Sequence, residues 1–321
     1  MKMCKKFLWI SLPALLLVAG SVLAGPKQVT ECGTILTKPG NYKLVNDLLD
    51  CPGEEGVAIF GSNITLNLKN HVISCADNDV WSTGVLVVDA KNVTVKNGHV
   101  ANCVDGIVLL FAEDSKIMNI SSTGNHKLEG AYGTGITLWR SSNNVIMKNH
   151  TFGNEGHGIG TWESSGNLFK HNTSTDNFGA FGIWAEDETN SQFMCNRTHG
   201  NVLGIGLAPG SSGNLVRGNF ASGNQLSGIS IFGYAWDGFI WTDIPSGNTV
   251  RSNIAEDNFH SDLSELADDW YTGGAVLDPL GTCFNTWEKN QFGTQFAPDG
   301  CIGFPVELDD DDVCALDDDD D

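Results

Sequence analysis

The stretch that decides the fold is Asn144-Val145-Ile146-Met147-Lys148-Asn149-His150-Thr151-Phe152-Gly153-Asn154, closed four residues later by Gly158-Ile159. Three asparagines fall five residues apart, with apolar Ile146 between the first two. The same phrase returns as Asn167/Asn172/Asn177 with Gly182-Ile183, and as Ser191/Asn196/Asn201 with Gly204-Ile205. It returns again as Asn214/Asn219/Asn224 with Gly228-Ile229, and then as Asn248/Asn253/Asn258. Upstream the glycine pair keeps time by itself, at Gly56-Val57, Gly84-Val85, Gly106-Ile107 and Gly135-Ile136. Successive glycines lie 28, 22, 29, 23, 24, 22 and 24 residues apart. A period in that range describes a stack of one repeated unit.

Each unit holds three short apolar segments separated by Asn or Gly turns, the pattern of short β-strands. A leucine ladder, a helical period and the two-residue turns of hairpins are all missing. A coil of ~22–24 residues with three strands per turn is what an all-β parallel β-helix requires, its inward residues stacking from coil to coil. Asparagine suits the turns because it tolerates the left-handed conformation and its amide can hydrogen-bond the asparagine one coil above.

The run Asn-x-Ile-x-x-Asn-x-x-x-x-Asn followed by Gly-Ile resembles the right-handed parallel β-helix repeat of pectate-lyase-like proteins. The same repeat marks the carbohydrate-binding and sugar-hydrolase β-helix group. The resemblance covers residues 56–290, and Asn63 to Ile73 is similar to the first coils of many bacterial members. It implies a polysaccharide-facing groove without fixing an activity. Residues 25–55 are then expected to cap the first coil and residues 291–306 the last, since solenoid ends expose sheet edges.

The ends carry signals of their own. Lys2, Lys5 and Lys6 precede the apolar run Phe7 to Ala19, with small residues before Gly25, so residues 1–24 are expected to be a secretory signal peptide. A secreted or periplasmic protein without a membrane anchor follows from that. Removing the signal moves the net charge from -21 to -24, and the last fifteen residues hold ten acids and no base. Residues 307–321 are expected to form an acidic disordered tail. This balance argues against nucleic acid and anionic membranes as partners.

Eight cysteines remain after the signal, an even number that suits disulfides in an exported chain. Cys32 with Cys51 and Cys283 with Cys301 each close a short loop. Aligning Asn70-His71-Val72 with Gly98-His99-Val100 places Cys75 over Cys103, within disulfide reach across one coil. Cys195 and Cys314 remain without an assigned partner.

Counting from each repeat glycine, position +1 faces inward, and +2 and +4 face outward. Position +4 reads Trp139, Trp162, Glu186, Ala208 and Phe232, whereas +2 includes Trp184 between Gly160 and Gly206. Three stretches exceed the repeat, at residues 126–134, 233–243 and 259–272, and bring Tyr234, Trp236, Trp241, Trp270 and Tyr271. Exposed indoles make flat platforms for the apolar face of a sugar. A glycan groove over Trp139, Trp162, Trp184, Glu186, Phe232 and Trp236 is one reading; a satellite core covered by the same loops is the other.

At position +5 stand Arg140, Glu163 and Asp187, one coil apart. A coil step of ~5 Å approaches the ~5–5.5 Å carboxyl separation of a retaining glycosidase. A lyase or epimerase would instead use Arg140 to neutralise a substrate carboxylate. Ca²⁺ held by Glu163, Glu186, Asp187 and Glu188 is a third arrangement, and a solvated turn with an Arg140–Glu163 ion pair a fourth. Gly156-His157-Gly158 is similar to the Gly-His-Gly motif of polygalacturonases, but the preceding coil lacks that family's aspartates and only the histidine matches. One β-helix group serves nitrous oxide reductase maturation, which raises copper. His71 and His99 are expected to stack in adjacent coils, yet no His-x-His, Met-rich or Cys-x-x-Cys cluster accompanies them, so no metal is assigned. The rival class is a non-catalytic surface, adhesion or scaffold protein.

Overall fold

A computed structural model describes residues 25–76, 81–128, 133–179, 181–234, 245–269, 274–276, 283–296, 301–308 and 314. Residues 1–24, Trp236, Trp241, Trp270, Tyr271 and the acidic runs 309–312 and 317–321 lie outside the described residues.

The chain is a right-handed parallel β-helix, as the repeat predicts. One face is a 12-stranded sheet; the other two faces join into a 19-stranded sheet, because strands such as Thr94–Ala101 and Lys116–Thr123 run through the corner between them. On the first face the register is that of the glycine clock: Ile136 lies beside Ile159, then Ile183, Ile205 and Ile229. These isoleucines are essentially inaccessible to solvent and form one continuous interior stack. Each contributes ~1.5–3 kcal/mol by burial. Phe169 and Phe193 continue the interior on the second face, their rings stacked at 4.7 Å.

Why glycine precedes each of them is a matter of space. At Gly158 an added Cβ would lie 2.6 Å from the Gly182 carbonyl oxygen of the next coil, and would also strike Ser174. Both the glycine and its β-branched neighbour turn inward at this corner, so the coils can pass only if one of the two has no side chain.

The asparagines form three buried ladders. Asn149 donates from Nδ2 to Asn172 Oδ1 at 3.0 Å, Asn172 to Asn196 at 3.0 Å, and Asn196 to Asn219 at 3.0 Å. Each Oδ1 also accepts a backbone N–H, as from Asn149 to Asn172 at 3.1 Å. The expectation that these asparagines themselves adopt the left-handed conformation is corrected. That conformation belongs to the residue just before each one, such as Lys148, His171 and Cys195. The turn is made one position early, which aims the amide inward.

Four disulfides close the structure: Cys32–Cys51, Cys75–Cys103 and Cys283–Cys301 as expected, and Cys195–Cys314 for the remaining pair. The register around the second is not the one aligned by sequence. Val72, not His71, lies opposite His99, so the two histidines are not stacked. Lys69 and Asn70 both take positive φ and shift the strand, while Cys75 and Cys103 still meet with Cα atoms 4.8 Å apart. Residues 34–51 already pair in parallel with the following coil. At the other end, Val306 donates its N–H to the Asn290 carbonyl at 3.1 Å.

Candidate functional site

The outer surface of the 12-stranded sheet and its edge carry the described side chains singled out by sequence. Trp139, Trp162 and Glu186 are consecutive rungs of one column. Among the described candidates only Trp139 is an open platform, 41% exposed, with its ring 6.3 Å from that of Trp162. Trp162, Trp184 and Phe232 are buried together with Phe181 and Leu203. For these three the covered cluster, not the free platform, describes the rings. Trp184 does not lie flat over its flanking glycines. A side chain at Gly160 would collide with the Trp162 ring, and one at Gly206 with Phe181. The glycines make room for the neighbours of Trp184 rather than for Trp184.

His157 completes this cluster. Its ring stacks on Trp184 at 5.4 Å and stands 5.6 Å from both Trp162 and Phe181. Burial, helped by the positive charge of Lys127, pushes its pKa down to about 3. The Gly-His-Gly likeness thus leads to a neutral packed imidazole. Its sequence signal was the position before a repeat glycine, which faces outward at the corner and is buried in all coils from Thr83 to Ser261.

Beside the cluster sit the acids. Arg140, Glu163 and Asp187 occupy the same corner in successive coils, each with positive φ. Arg140 Nε donates to Glu163 Oε2 at 2.6 Å, the ion pair of the solvated-turn alternative. Asp187 leans the other way, over the backbone of Gly210 in the next coil. Glu186 lies between them and is the half-buried member. Burial raises its carboxyl above the ordinary range, and the charges of Asp187 and Glu163 add to this. Indole N–H dipoles of Trp184 and Trp162 act in the opposite sense, although the Trp184 nitrogen reaches no acceptor at full hydrogen-bond geometry.

Glu188 departs from the expected Ca²⁺ arrangement. Its carboxylate points into the coil, where it accepts from Thr161 Oγ1 at 2.6 Å, from Asn167 Nδ2 at 2.9 Å and from Ser191 Oγ. Ser191 is too short to extend the asparagine ladder, and Glu188 fills the gap. The four acids therefore do not converge.

Sequence reasoning missed the approach to Trp139. Leu86, Val88, Val108 and Leu110 project outward from the two preceding coils, half-buried, with Phe60 and Phe111 exposed near them. The signal was available as outward positions that carry no polar residue.

Strand pairing and cysteine pairing together define a parallel β-helix closed by disulfides. Residues 50–230 match the family model described as "Periplasmic copper-binding protein (NosD)". The chain belongs to that family. No curated protein matches it in sequence. Among solved structures it is similar to the Dettilon tailspike protein gp208, with 16% identity over 84% of this chain and 60% of that one, TM-score 0.57. It is also similar to the mannuronan C-5 epimerase A-module of Azotobacter vinelandii, with 13% identity over 89% and 87%, TM-score 0.54. A mutant of the periplasmic alginate epimerase AlgG shows 15% identity over 83% and 70%, TM-score 0.54. At such identities the likeness is one of fold. The chain spans less than two thirds of the tailspike.

The family description raises copper, and the side chains can be tested for it. Soft ligands suit copper, thiolate and thioether above all. The eight cysteines after residue 24 are all in disulfides. His71 Nδ1 is engaged with Asp47 Oδ1 at 2.9 Å, and His157 is enclosed by aromatic rings. Met118 and Met147 are neighbours in one outer column, but Lys170 follows them and repels a cation. Among the described residues no three His, Cys, Asp or Glu side chains gather to hold a metal. These residues do not fit a copper centre.

Proposed function

We propose that this protein is exported and binds a polysaccharide along the outer face of the 12-stranded sheet, where it processes the glycan by acid–base chemistry. The carrying observation is Glu186, a half-buried carboxyl two coils beyond the open Trp139 ring and next to the Arg140–Glu163 pair. Trp139 and the apolar strip leading to it offer a flat surface for sugar rings. A carboxyl raised by burial holds its proton nearer neutrality, which suits donation to a leaving oxygen. Glu163, oriented by Arg140 in the neighbouring coil, is the partner group, and Asp187 and Glu186 line the same edge. The solved β-helices named above include alginate and mannuronan epimerases, which supports a glycan as the ligand. Four disulfides and the leader-like first residues support export to an oxidising compartment.

The test is a panel of neutral and uronic polysaccharides, scored for binding and for new reducing or unsaturated ends. Trp139→Ala should weaken binding, and Glu186→Gln should keep binding while removing turnover. Unchanged affinity in Trp139→Ala, with no processed product from any glycan, would leave the scaffold reading in its place. The packed Trp162–Trp184–Phe232 cluster is the observation that favours that alternative.

A further inference from the structure

The second face of the coil carries a basic column at its C-terminal end, unusual in a chain of net charge -21. Lys170, Met194, Arg217 and Arg251 follow one another in register, and Glu288 is the next rung. Arg217, Arg251, Ser252, Glu288 and Lys289 line an open pocket there. Among the described residues neither arginine, nor Lys289, enters an ion pair. The buried Arg251 Nε has no hydrogen-bond partner among the described residues. An unsatisfied guanidinium N–H beside two further cations asks for carboxylates.

We propose that this pocket is a docking site for the chain's own residues 309–312, four consecutive aspartates. Two anchors flank that segment. Val306 is hydrogen-bonded to Asn290, the residue after Lys289. Cys314 is joined to Cys195 and lies over Gly218, with its sulfur 2.7 Å from where a Cβ on that glycine would be. Cys195, Gly218, Ser252 and Lys289 occupy the same corner in successive coils, each with positive φ. The anchors are thus three coil steps apart, ~14 Å, and eight residues can span about 27 Å. Anchors so placed leave Lys289, Arg251 and Arg217 within reach of the eight-residue connection. Tethering at both ends gives the aspartates an effective concentration in the millimolar range or above, which a free anion must exceed.

Carbodiimide coupling of the oxidised full chain at low salt, with peptide mapping, tests this directly. Lys289 should form amide bonds with the aspartates of 309–312 in several-fold excess over Lys43 or Lys127, and 1 M NaCl should suppress them. Equal yields from all three lysines, or no coupling at Lys289, would overturn the proposal. The combined variant Asp309→Asn, Asp310→Asn, Asp311→Asn, Asp312→Asn leaves the packed coils untouched. It should bind an added tetra-aspartate peptide at least ~10-fold more tightly than the unmodified chain, and Arg251→Gln in that background should abolish the gain. Equal affinity with and without the aspartates means that they do not occupy the pocket. The readout is independent of glycan processing, so it stands or falls separately from the function of the first face.

Discussion

His157 and Trp184, one coil apart on the first face, stack with ring centroids 5.4 Å apart and planes inclined by 18°. This contact divides the aromatic residues of that face into two kinds. Trp184, Trp162 and Phe232 hold one another and His157, whereas Trp139 stacks on them from outside. Trp184→Ala should therefore destabilise the protein by roughly 3–5 kcal/mol, the range for deleting a packed aromatic. Trp139→Ala should leave the unfolding midpoint nearly unchanged and lower glycan affinity. Denaturant titration paired with a binding assay separates the two; equal loss of stability in both variants would contradict the division.

Two buried groups in the same outward column give opposite pH responses. Asp105 accepts from the Thr134 N–H at 3.0 Å, and burial raises it from 3.8 to about 6. Between those values the folded chain holds a proton that the unfolded chain has lost, so stability falls as pH rises through the window. Asp105→Asn keeps the acceptor and should add up to roughly 3 kcal/mol at pH 7 and almost nothing below pH ~4. His157, lowered from 6.5 to about 3, works the other way: stability falls as pH drops through that range. His157→Phe should flatten the acid limb and leave neutral stability alone. Unfolding curves collected at pH 4 and pH 7 should therefore rank the two variants in opposite order.

Glu188 replaces an amide inside the coil, which makes a third comparison possible. Burial raises its carboxyl above the ordinary 4.5, while Ser191, Thr161 and Asn167 lower it by donating hydrogen bonds. Ionisation of the folded state is then disfavoured, and the protein loses stability as pH climbs from 4.5 through the raised value. Glu188→Gln can accept from Asn167 and donate to Thr161, so it should match the parent in acid and exceed it at neutral pH. Glu188→Ala strands Asn167, Ser191 and Thr161 and should cost ~2–4 kcal/mol in acid, where the parent carboxyl is protonated, and less as pH rises through the raised value. A pH-independent difference between parent and Glu188→Gln would show that the carboxyl is not titrating in this window.

How far the sequence could be read depended on whether position in the coil was enough. The glycine clock places Trp139, Trp162 and Glu186 in one column, and the structure agrees. It also puts Arg140 and Glu163 at one corner one coil apart, which is where their ion pair forms. Orientation was another matter. Whether Asp187 turns to Glu163 or to Gly210 depends on the empty space over a glycine in the following coil. That Glu188 points inward depends on a serine replacing asparagine three residues later. His71 and His99 missed each other because two consecutive left-handed residues shift a register that sequence alignment treats as rigid. The period reveals rungs; the filling of space between rungs needs coordinates.

The last comparison sets two kinds of glycine in one coil against each other. Gly158 has no positive φ, but a Cβ there would press on the Gly182 carbonyl and the Thr151 hydroxyl, each 2.6 Å away, and on Ser174. Two of those three neighbours are side chains fixed inside the coil, and the third is backbone in a parallel ladder. Nothing can yield without shifting a strand, so Gly158→Ala should cost at least the ~1–3 kcal/mol usual for overpacking. Gly153 is the reverse: its φ is +64°, and its one near neighbour, Thr123 Oγ1, stands 3.8 Å off. The following rung of that corner is Asp176, with φ 51°. Asn and Asp accept this conformation at small cost, so Gly153→Asn should change stability by less than ~1 kcal/mol. Thermal or denaturant unfolding of the two single variants decides it. If Gly153→Asn proved the more damaging, backbone conformation rather than coil spacing would be what the repeated glycine protects.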